Sequence, residues 1–440
     1  MTKTNSGPYG VAEPNSSGIK VIVVGLGFAG LATMIECYRK GHTVIGFEQS
    51  LHQSPKGDIM GIAANGMTVM SHWQSGAVSN SIREIGNDTT AIDIYNEAGH
   101  LKQHISLSNS SRVNRCFTPR AEAIQIVCDY ARSLGLDMRF GTRVDAYWES
   151  EADAGIIVGN EKIVADCVVA CDGVQSQARR IITGEDAVPL ETGSAVFRSY
   201  FHAQEIADDP KARWFLENAI EKNRINVYIE KDIYALVAVL GDGRYVAWLI
   251  THKDDGGAST SWVQPVDIKD ALRTIDKWPV KEKLAAVINR TPAGKCLNNQ
   301  LLSAKPLSTW VSKRGRMIVL GDAAHPMLPS TGQGASQAIE DAAVFAICLE
   351  LGTKMNVPLS IRATEKIRYA RATAIQASSV DTQDSYFDNG LEGNSVEDTE
   401  HLLTGSLMNL EYDCQAQAYR EFAKAVQAIE TGVKYTPTGC

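Results

Sequence analysis

The sequence of 440 residues lacks several features that would assign it to a non-enzymatic or membrane class. No apolar run reaches the roughly 18 residues that a membrane-spanning helix needs. The longest candidate, Val21–Met34, is interrupted by three glycines. The chain also lacks a basic excess: its net charge of −8 argues against nucleic acid or an anionic membrane as the main partner. We find no internal repeat and no low-complexity tract.

Cysteine motifs are absent as well. The nine cysteines include no C-x-x-C pair, and we predict no metal site. Cys167 and Cys171 lie four apart in a strand-like run, which favours buried, reduced thiols over a disulfide or a metal site. Residues 1–18 lack the basic and apolar blocks of a signal peptide, so we expect a disordered leader. Together these features favour a cytoplasmic location.

The chain is too long for one ordinary core, which predicts two domains and an extra helical segment. Alternating strands and helices place an α/β domain at 19–75, 110–185 and 300–355. Strand-rich runs at 76–109 and 186–299, with a hairpin turn at 241–243, predict an inserted, mainly antiparallel sheet. Residues 356–440 are expected to be helical, except for an exposed acidic loop over 380–400.

The first motif that carries chemistry is G-x-G-x-x-G at Gly25, Gly27 and Gly30, between a predicted strand (Val21–Val24) and a predicted helix (Ala29–Lys40). The first glycine permits the tight turn, and the second lets the backbone approach a pyrophosphate at the helix N-terminus. This fingerprint is weak in isolation, because glycine turns are common. Its position in a strand-helix-strand unit favours dinucleotide binding.

An acidic residue completes this unit. Glu48 lies 23 residues after Gly25, at the end of the next predicted strand, where it can accept hydrogen bonds from a ribose. The other Gly-x-Gly pairs, at Gly241 and Gly332, lack the third glycine of the fingerprint. A reductase with two dinucleotide-binding domains is therefore disfavoured.

Two further motifs follow apolar strands. A predicted strand over Lys162–Gly173 leads into D-G-x-x-S-x-x-R, which contains Asp172 and Arg179. Later, Gly321-Asp322 follows the apolar run Met317–Leu320, and "PSTGQGA" follows in turn. Taken alone, Asp-Gly is equally well a simple turn, and Asp322 equally well a helix cap or a ligand for ribitol hydroxyls. The glycines of "PSTGQGA" leave bare backbone amides that suit something flat or anionic.

The three motifs occur in this order, about 145 and 150 residues apart. In this combination the chain resembles the class A flavoprotein monooxygenases, the single-component FAD hydroxylases related to 4-hydroxybenzoate and salicylate hydroxylases. It is more similar to the fungal members that act on polyketides and indole alkaloids. The resemblance covers about Ile19 to Tyr419. It implies a Rossmann-type, glutathione-reductase-like FAD-binding domain with an inserted, mainly antiparallel β-sheet substrate domain and a C-terminal helical segment.

The resemblance also implies cofactor contacts. Asp172 would face the pyrophosphate of FAD, and Asp322 would hold its ribityl chain. Ser336 departs from the usual family asparagine but keeps a hydrogen-bonding group. The remaining positions that the resemblance places against the cofactor are Gly61, Arg120, Gly332, Gly334 and Ala335.

For the substrate, Arg198 in "VFRSYF" and Tyr228 in "NVYIEKD" match an arginine and a tyrosine that face the substrate in fungal members. From the residues alone, a strand arginine is more often a surface or ion-pair residue, and a strand tyrosine is usually core. Asp58 is either a carboxylate near the flavin or an exposed loop residue. His325 has the chemistry of a base, but its strand-to-helix junction favours a role in backbone geometry.

The implied activity uses bound FAD, a transient NADPH or NADH, and O₂. Oxygen would reach an electron-rich aromatic or indole substrate through a flavin C4a-hydroperoxide, in fungal secondary metabolism. The expected partners are this small molecule and O₂, with no nucleic acid and no membrane span, in a monomer or homodimer. Two alternatives stay open: a flavin-dependent dehydrogenase or reductase of the same fold, and a catalytically inactive cofactor-binding protein.

Overall fold

A computed structural model describes residues 16–53, 59–88, 91–106, 116–184, 190–219, 224–259, 264–389 and 412–438. Most of the predicted leader, together with Asp58, lies outside these ranges. The strands are β1 Lys20–Val24, β2 Thr43–Phe47, β3 Ile59–Ile62, β4 Asn87–Asp88, β5 Ala91–Asn96, β6 Leu101–Ser106, β7 Cys116–Pro119, β8 Asp137–Arg139, β9 Ala146–Glu149, β10 Ala154–Val158, β11 Glu161–Ala165, β12 Cys167–Ala170, β13 Leu190–His202, β14 Arg224–Glu230, β15 Ile233–Leu240, β16 Tyr245–Lys253, β17 Leu297–Ser303 and β18 Met317–Val319.

The helices connect and cover these strands. They are α1 Phe28–Arg39, α2 Ala64–Met70, α3 Ala77–Ile85, α4 Arg120–Ser133, α5 Ala178–Thr183, α6 Gln204–Ala207, α7 Trp214–Ala219, α8 Ile268–Thr274, α9 Lys281–Ile288, α10 Gly334–Gly352, α11 Val357–Asn389 and α12 Cys414–Thr431. Short 3-10 turns occur at Gly321–Ala323 and Pro329–Thr331.

A five-stranded parallel sheet in the order β18-β12-β1-β2-β8 forms the centre of the first core. Its β1 is a buried β-branched run, as expected for a strand covered on both faces. Residues of α1, α4 and α10 form the apolar core on one face. The antiparallel strands β9, β10 and β11 cover the other face. The result is a three-layer arrangement that leaves the carboxyl ends of the strands at one edge.

The second large sheet has seven strands in the order β17-β13-β16-β15-β14-β5-β6. All of its pairs are antiparallel except β5 with β14. The predicted hairpin turn at 241–243 is confirmed between β15 and β16, where Gly241, Asp242 and Gly243 all have positive φ. Helices α8 and α9 pack on one face of this sheet, and β3 with the start of α2 packs on the other.

Two sequence-based predictions of local structure are wrong. The single strand predicted over Lys162–Gly173 is two strands in different sheets, because β11 pairs with β10 whereas β12 pairs with β1. The acidic loop predicted over 380–400 begins as helix, since α11 continues to Asn389.

The eight cysteines within the described ranges are buried free thiols. In this part of the chain no single helix is long and apolar enough to cross a membrane. The helices Gly334–Gly352 and Lys354–Asp384 are bent by 109° relative to each other. Only when taken together as one broken span are they long and apolar enough to cross a membrane.

Candidate active site

Four neighbouring strands of the parallel sheet deliver the predicted motifs to one edge. Glu48 follows β2, Gly25 follows β1, Asp172 follows β12, and Gly321-Asp322 follows β18; these four strands are adjacent in the sheet. Because parallel strands end at the same edge, motifs that are far apart in sequence meet at one edge of the sheet. The sequence order of the motifs did not reveal this adjacency.

The three fingerprint glycines have different surroundings. Gly25 has a φ of +88°, and a Cβ there would lie 2.5 Å from the carbonyl oxygen of Cys171. A Cβ at Gly30 would lie 1.8 Å from the carbonyl oxygen of Gly25. Gly27, in contrast, has no atom within 4 Å of an added Cβ. Packing therefore requires Gly25 and Gly30, while Gly27 borders open space.

That open space lies at the N-terminus of α1. Gly27 is the N-cap of this helix, and no side chain caps it. The first backbone N–H groups of a helix have no intrahelical partner and carry the positive end of the helix dipole. The turn therefore offers backbone N–H donors and partial positive charge, which suit a pyrophosphate.

The carboxylate of Glu48 has a structural task that the sequence did not suggest. It accepts hydrogen bonds from the backbone N–H of Leu26 at 3.0 Å and of Ser50 at 2.9 Å. These bonds fix the glycine turn against the end of β2. Because each carboxylate oxygen accepts more than one hydrogen bond, this arrangement is compatible with ribose binding as well.

Asp172 and Arg179 organise the second motif. Asp172 Oδ2 lies 3.3 Å from the Tyr147 hydroxyl, while Oδ1 is buried without a hydrogen-bond partner. Burial raises the pKa of this carboxyl. Arg179 is buried and donates to the carbonyl oxygens of Ala323 at 2.6 Å and Asp322 at 2.5 Å. The last residue of D-G-x-x-S-x-x-R thus binds the third motif to the second, a role that we did not predict.

Asp322 and Arg120 provide opposite charges at this edge. The Asp322 side chain is accessible, yet burial raises its pKa, against the opposing effects of His325, Arg120 and Arg179. Arg120, the first residue of α4, forms no ion pair or side-chain hydrogen bond with the described part of the chain.

The glycine-rich loop after β18 forms the next wall. Gly332 has a φ of +60°, and neither Gly332 nor Gly334 has an atom within 4 Å of an added Cβ. Gly61 packs closely on this loop, since a Cβ at this position would lie 3.3 Å from the carbonyl oxygen of Gly332. Ala335 follows in the first turn of α10. Ser336, the departure from the family pattern, accepts a 2.9 Å hydrogen bond from the backbone N–H of Ala63.

A buried ionic network lies beneath this loop. Asp341 accepts from the backbone N–H of Gly321 at 3.1 Å and from Arg368 Nε at 2.8 Å, and it lies 2.6 Å from His325 Nε2. Glu340 binds both Arg368 and Arg371. His325 therefore contacts a carboxylate of α10, which supports its role in the backbone junction.

The network also explains the titration of its carboxylates. Burial alone would raise the pKa of Glu340 and of Asp341, but the adjacent cations outweigh burial and lower both values. Arg368 and Arg371 act on Glu340, and His325 and Arg368 act on Asp341. The sequence signal for this network is the presence of charged residues, Glu340 and Asp341, within a mainly apolar helix.

Arg198 lies on the face of the seven-stranded sheet that contacts the glycine-rich loop after β18. It is 3% exposed, and its Nε and Nη2 donate to Asn299 Oδ1 at 3.1 and 2.7 Å. The neighbouring Val196, on the same face, packs against Leu328 of the glycine-rich loop. Tyr200, also on this face, donates to Glu122 in the first turn of α4.

Tyr228 lies on the opposite face, which corrects the prediction that it and Arg198 face one substrate. The register aligns Arg198 with Leu249, Leu236 and Val227, so Val227 shares the face of Arg198 and Tyr228 does not. Tyr228 stacks on Tyr95 at 4.9 Å within the core that α8 and α9 cover. Burial raises the pKa of the Tyr228 hydroxyl above the ordinary value for tyrosine.

Comparison with known proteins adds independent findings. Residues 18–375 match the family model described as an FAD binding domain. Over 443 residues the chain is 41% identical to notoamide E oxidase of Aspergillus versicolor, covering 100% of this chain and 97% of that protein. It is 39% identical to asperlicin C monooxygenase of Petromyces alliaceus, covering 98% of this chain and 94% of that protein.

Solved structures of other proteins superpose on this chain. CtdE, crystallised with FAD and its substrate 4, is 40% identical and superposes with a TM-score of 0.89, covering 94% of this chain and 100% of CtdE. A salicylate hydroxylase in complex with its substrate has a TM-score of 0.75 at 21% identity, covering 91% of this chain and 97% of that one. The second likeness concerns the fold alone.

Proposed function

This chain belongs to the FAD-dependent monooxygenases that share this FAD-binding domain. We therefore propose that it uses NADPH or NADH and O₂ to insert one oxygen atom into an electron-rich aromatic or indole substrate. The expected cofactor, FAD, is the one that the family binds. The proposal is supported chiefly by one observation: the four motif loops lie at one edge of the parallel sheet, and Leu328 of the glycine-rich loop packs on Val196, on the sheet face that carries Arg198.

The residues at this edge of the sheet offer groups that suit FAD. The open space at Gly27, beside the uncapped α1, would take the pyrophosphate, and Glu48 the ribose. Asp322 would hold ribityl hydroxyls, and the backbone at Gly332 and Gly334 would lie beside the ring. Arg120 would add positive charge near the phosphates. Once bound and reduced, FAD supplies the activation of O₂.

We further propose a division of labour between the two large sheets. The parallel sheet would hold the cofactor, and the seven-stranded sheet would present the substrate. Arg198 would stabilise negative charge on a phenolate, or polarise the oxygen of an epoxide if the substrate is an indole. Its burial strengthens such an interaction, because water screens it less than at the surface.

The names of two relatives suggest probes. We propose that the substrate is a fungal secondary metabolite related either to resorcinol-type polyketides or to prenylated or oxindole-forming indole alkaloids. Notoamide E and asperlicin C, after which those relatives are named, are further probes.

The test is aerobic NADPH consumption by the flavin-loaded protein, with product mass measured in parallel for both substrate sets. We expect one set to stimulate NADPH use and to yield a product heavier by one oxygen atom. A product changed only by two hydrogens would identify a dehydrogenase or reductase instead. Peroxide without product for both sets would contradict the proposed substrate classes.

A further inference from the structure

We propose that Gln383, in the last part of α11, accepts a hydrogen bond from the substrate and so selects substrates that carry a donor; this inference rests on the proposed function. Only 2% of Gln383 is exposed, and its Oε1 has no hydrogen-bond partner in the described part of the chain. A buried amide oxygen that accepts no hydrogen bond carries a free-energy cost, and folded proteins keep few such atoms. This oxygen is therefore available to a ligand that donates.

Contacts of α11 place Gln383 near the glycine-rich loop after β18. The backbone N–H of Leu328 donates to Ser379 Oγ at 3.1 Å, and the Ser330 hydroxyl donates to the carbonyl oxygen of Ser379 at 2.6 Å. Val380 packs against the apolar cluster that contains Leu328. Gln383 follows Ser379 by four residues and Val380 by three, so it lies on the same face of the helix. It is thus one helical turn from the loop whose glycines would lie beside the flavin ring.

The same face of α11 covers the sheet face that carries Arg198. Val380 and Leu249 pack against one cluster, and Leu249 is directly opposite Arg198 in the register. Leu236, opposite Leu249 on the next strand, shares this face. Both leucines stay partly exposed, although β16 and β15 are inner strands of the sheet. Solvent therefore reaches an apolar surface between this part of the sheet and its cover, and α11 borders that surface.

The chemistry of an amide oxygen limits what it can bind. Oε1 accepts hydrogen bonds and cannot donate, so its ligand must carry an N–H or O–H group. Both proposed substrate sets have such a donor: the indole N–H, and the second hydroxyl of a resorcinol whose first is ionised. The two leucines suit an aromatic ring, and a single amide would fix the orientation of that ring. A site that binds a donor also rejects the analogue that lacks it, which makes Gln383 a residue that determines specificity.

The first measurement needs no substrate. Gln383→Met replaces the amide by an apolar side chain of similar length, and replacing an unpartnered buried polar group in this way is neutral or stabilising. We therefore expect the thermal midpoint of the flavin-loaded variant to be at or above that of the wild type. A midpoint lower by about 2 °C or more would show that the amide has a structural partner inside the protein, and would overturn the inference.

The adjacent residue provides a matched control. Thr382 is 3% exposed, but its hydroxyl donates to the carbonyl oxygen of Ser378 at 2.7 Å within α11. Thr382→Val removes a buried polar group from the same turn of the helix, about 100° around the axis from Gln383. Substrate affinity in Thr382→Val should stay within about twofold of the wild type, because that hydroxyl is already satisfied. An equal loss of affinity in both variants would assign the effect to helix packing and overturn the inference.

The second measurement compares ligands with and without the donor. Flavin-loaded wild type, Gln383→Met and Thr382→Val are titrated through the flavin absorbance without NADPH. The ligands are a prenylated indole alkaloid and its N1-methyl form, and a resorcinol and its monomethyl ether. We expect the wild type to bind one parent compound about tenfold more tightly than its methylated form. Gln383→Met should bind that parent about tenfold more weakly, with the affinity for the methylated form changed by about twofold or less.

The outcomes separate the two proposals. Discrimination against the methylated compound that persists in Gln383→Met would overturn the inference, because the discrimination would then be steric. Failure of the proposed function alone is distinguishable, since binding is measured without turnover: the wild type would then bind a ligand but oxygenate neither set. If the wild type bound neither set, both proposals would be wrong.

Discussion

At the scale of single residues, the fingerprint glycines separate binding from packing. Gly30 contacts the carbonyl of Gly25, whereas Gly27 borders only open space. The sequence predicted a tight turn at Gly25 and backbone approach at Gly27, whereas the close packing of Gly30 on Gly25 comes from the structure. The sequence could not predict that Glu48 would bind the turn from the other side, since that contact needs the end of β2 in place.

We predict that Gly27→Val and Gly30→Ala impair the protein in different ways. A Cβ at residue 30 would overlap a backbone oxygen, so Gly30→Ala should destabilise the FAD-free protein by about 1–3 kcal/mol. Gly27→Val should leave that stability within about 1 kcal/mol of the wild type but weaken FAD binding by about tenfold or more. Chemical unfolding and FAD titration measure the two effects. Normal FAD affinity in Gly27→Val would contradict the proposed position of the pyrophosphate.

We also predict different outcomes for the two residues once expected to share the substrate. Arg198→Ala should lower kcat/KM by about 100-fold, because it removes the buried cation. Tyr228→Phe should retain activity within about threefold, because its hydroxyl lies on the opposite face of the sheet. Steady-state kinetics with matched flavin content measures both. A loss in Tyr228→Phe as large as that in Arg198→Ala would restore the original prediction.

The error over Tyr228 has a physical reason. Strand side chains alternate, so a shift of one residue in pairing moves a side chain to the other face. Sequence patterns indicated the strands that carry Arg198 and Tyr228, but not the register through β15 and β16 that relates them.

At the scale of elements, strand order explains why distant motifs act together. β1, β12 and β18 are neighbours, and Arg179 connects the loops that follow two of them. The order of strands in a sheet depends on long-range packing, which periodicity does not encode. For the same reason the apolar run at 162–173 gave no sign that it changes from one sheet to another.

The ionic network between α10 and α11 predicts a specific dependence of stability on pH. The pKa values of Glu340 and Asp341 are lower in the folded protein than their ordinary values of 4.5 and 3.8. Their contribution to stability is therefore present above about pH 4.5 and is lost as the pH falls through the depressed values. Arg368→Met should cost about 3–5 kcal/mol at pH 7, because it leaves buried carboxylates with too little compensation.

The loss of unfolding free energy in Arg368→Met relative to the wild type should shrink as the pH falls below about 4.5, since protonation removes the uncompensated charge of the carboxylates. Unfolding in denaturant at several pH values measures this difference in stability between Arg368→Met and the wild type. The exposed pair Arg132 and Asp129 provides a control: Arg132→Met should cost at most about 1 kcal/mol. A deficit in Arg368→Met that does not change with pH would show that the network's charges are not its main contribution.

At the scale of the whole molecule, cofactor and substrate regions meet through defined contacts. Tyr200 of the seven-stranded sheet binds Glu122 of α4, and Leu328 packs on Val196. Helix α3 lies in the segment 76–109, which the sequence grouped with the substrate sheet, yet its Val78 and Ile82 pack in the core of the parallel sheet. Composition cannot distinguish which of two cores an amphipathic helix covers.

Because FAD would contact loops from four strands, its binding should stabilise the folded chain. At 100 times its dissociation constant, FAD should add about 2.7 kcal/mol to the free energy of unfolding. FMN, which lacks the pyrophosphate and the adenosine, should protect less at equal concentration. Thermal unfolding of the FAD-free protein with each ligand measures the difference, and equal protection would contradict a role for the glycine turn.

A monooxygenase transfers an oxygen atom from O₂ to an organic substrate, and we expect this chain to do so. The most direct measurement is the mass of the product formed with NADPH under ¹⁸O₂, with the substrate that stimulates NADPH use. We expect a product that contains one ¹⁸O atom under ¹⁸O₂, and no ¹⁸O when the label is supplied as water. A product that differs from the substrate by two hydrogens and contains no label would contradict it.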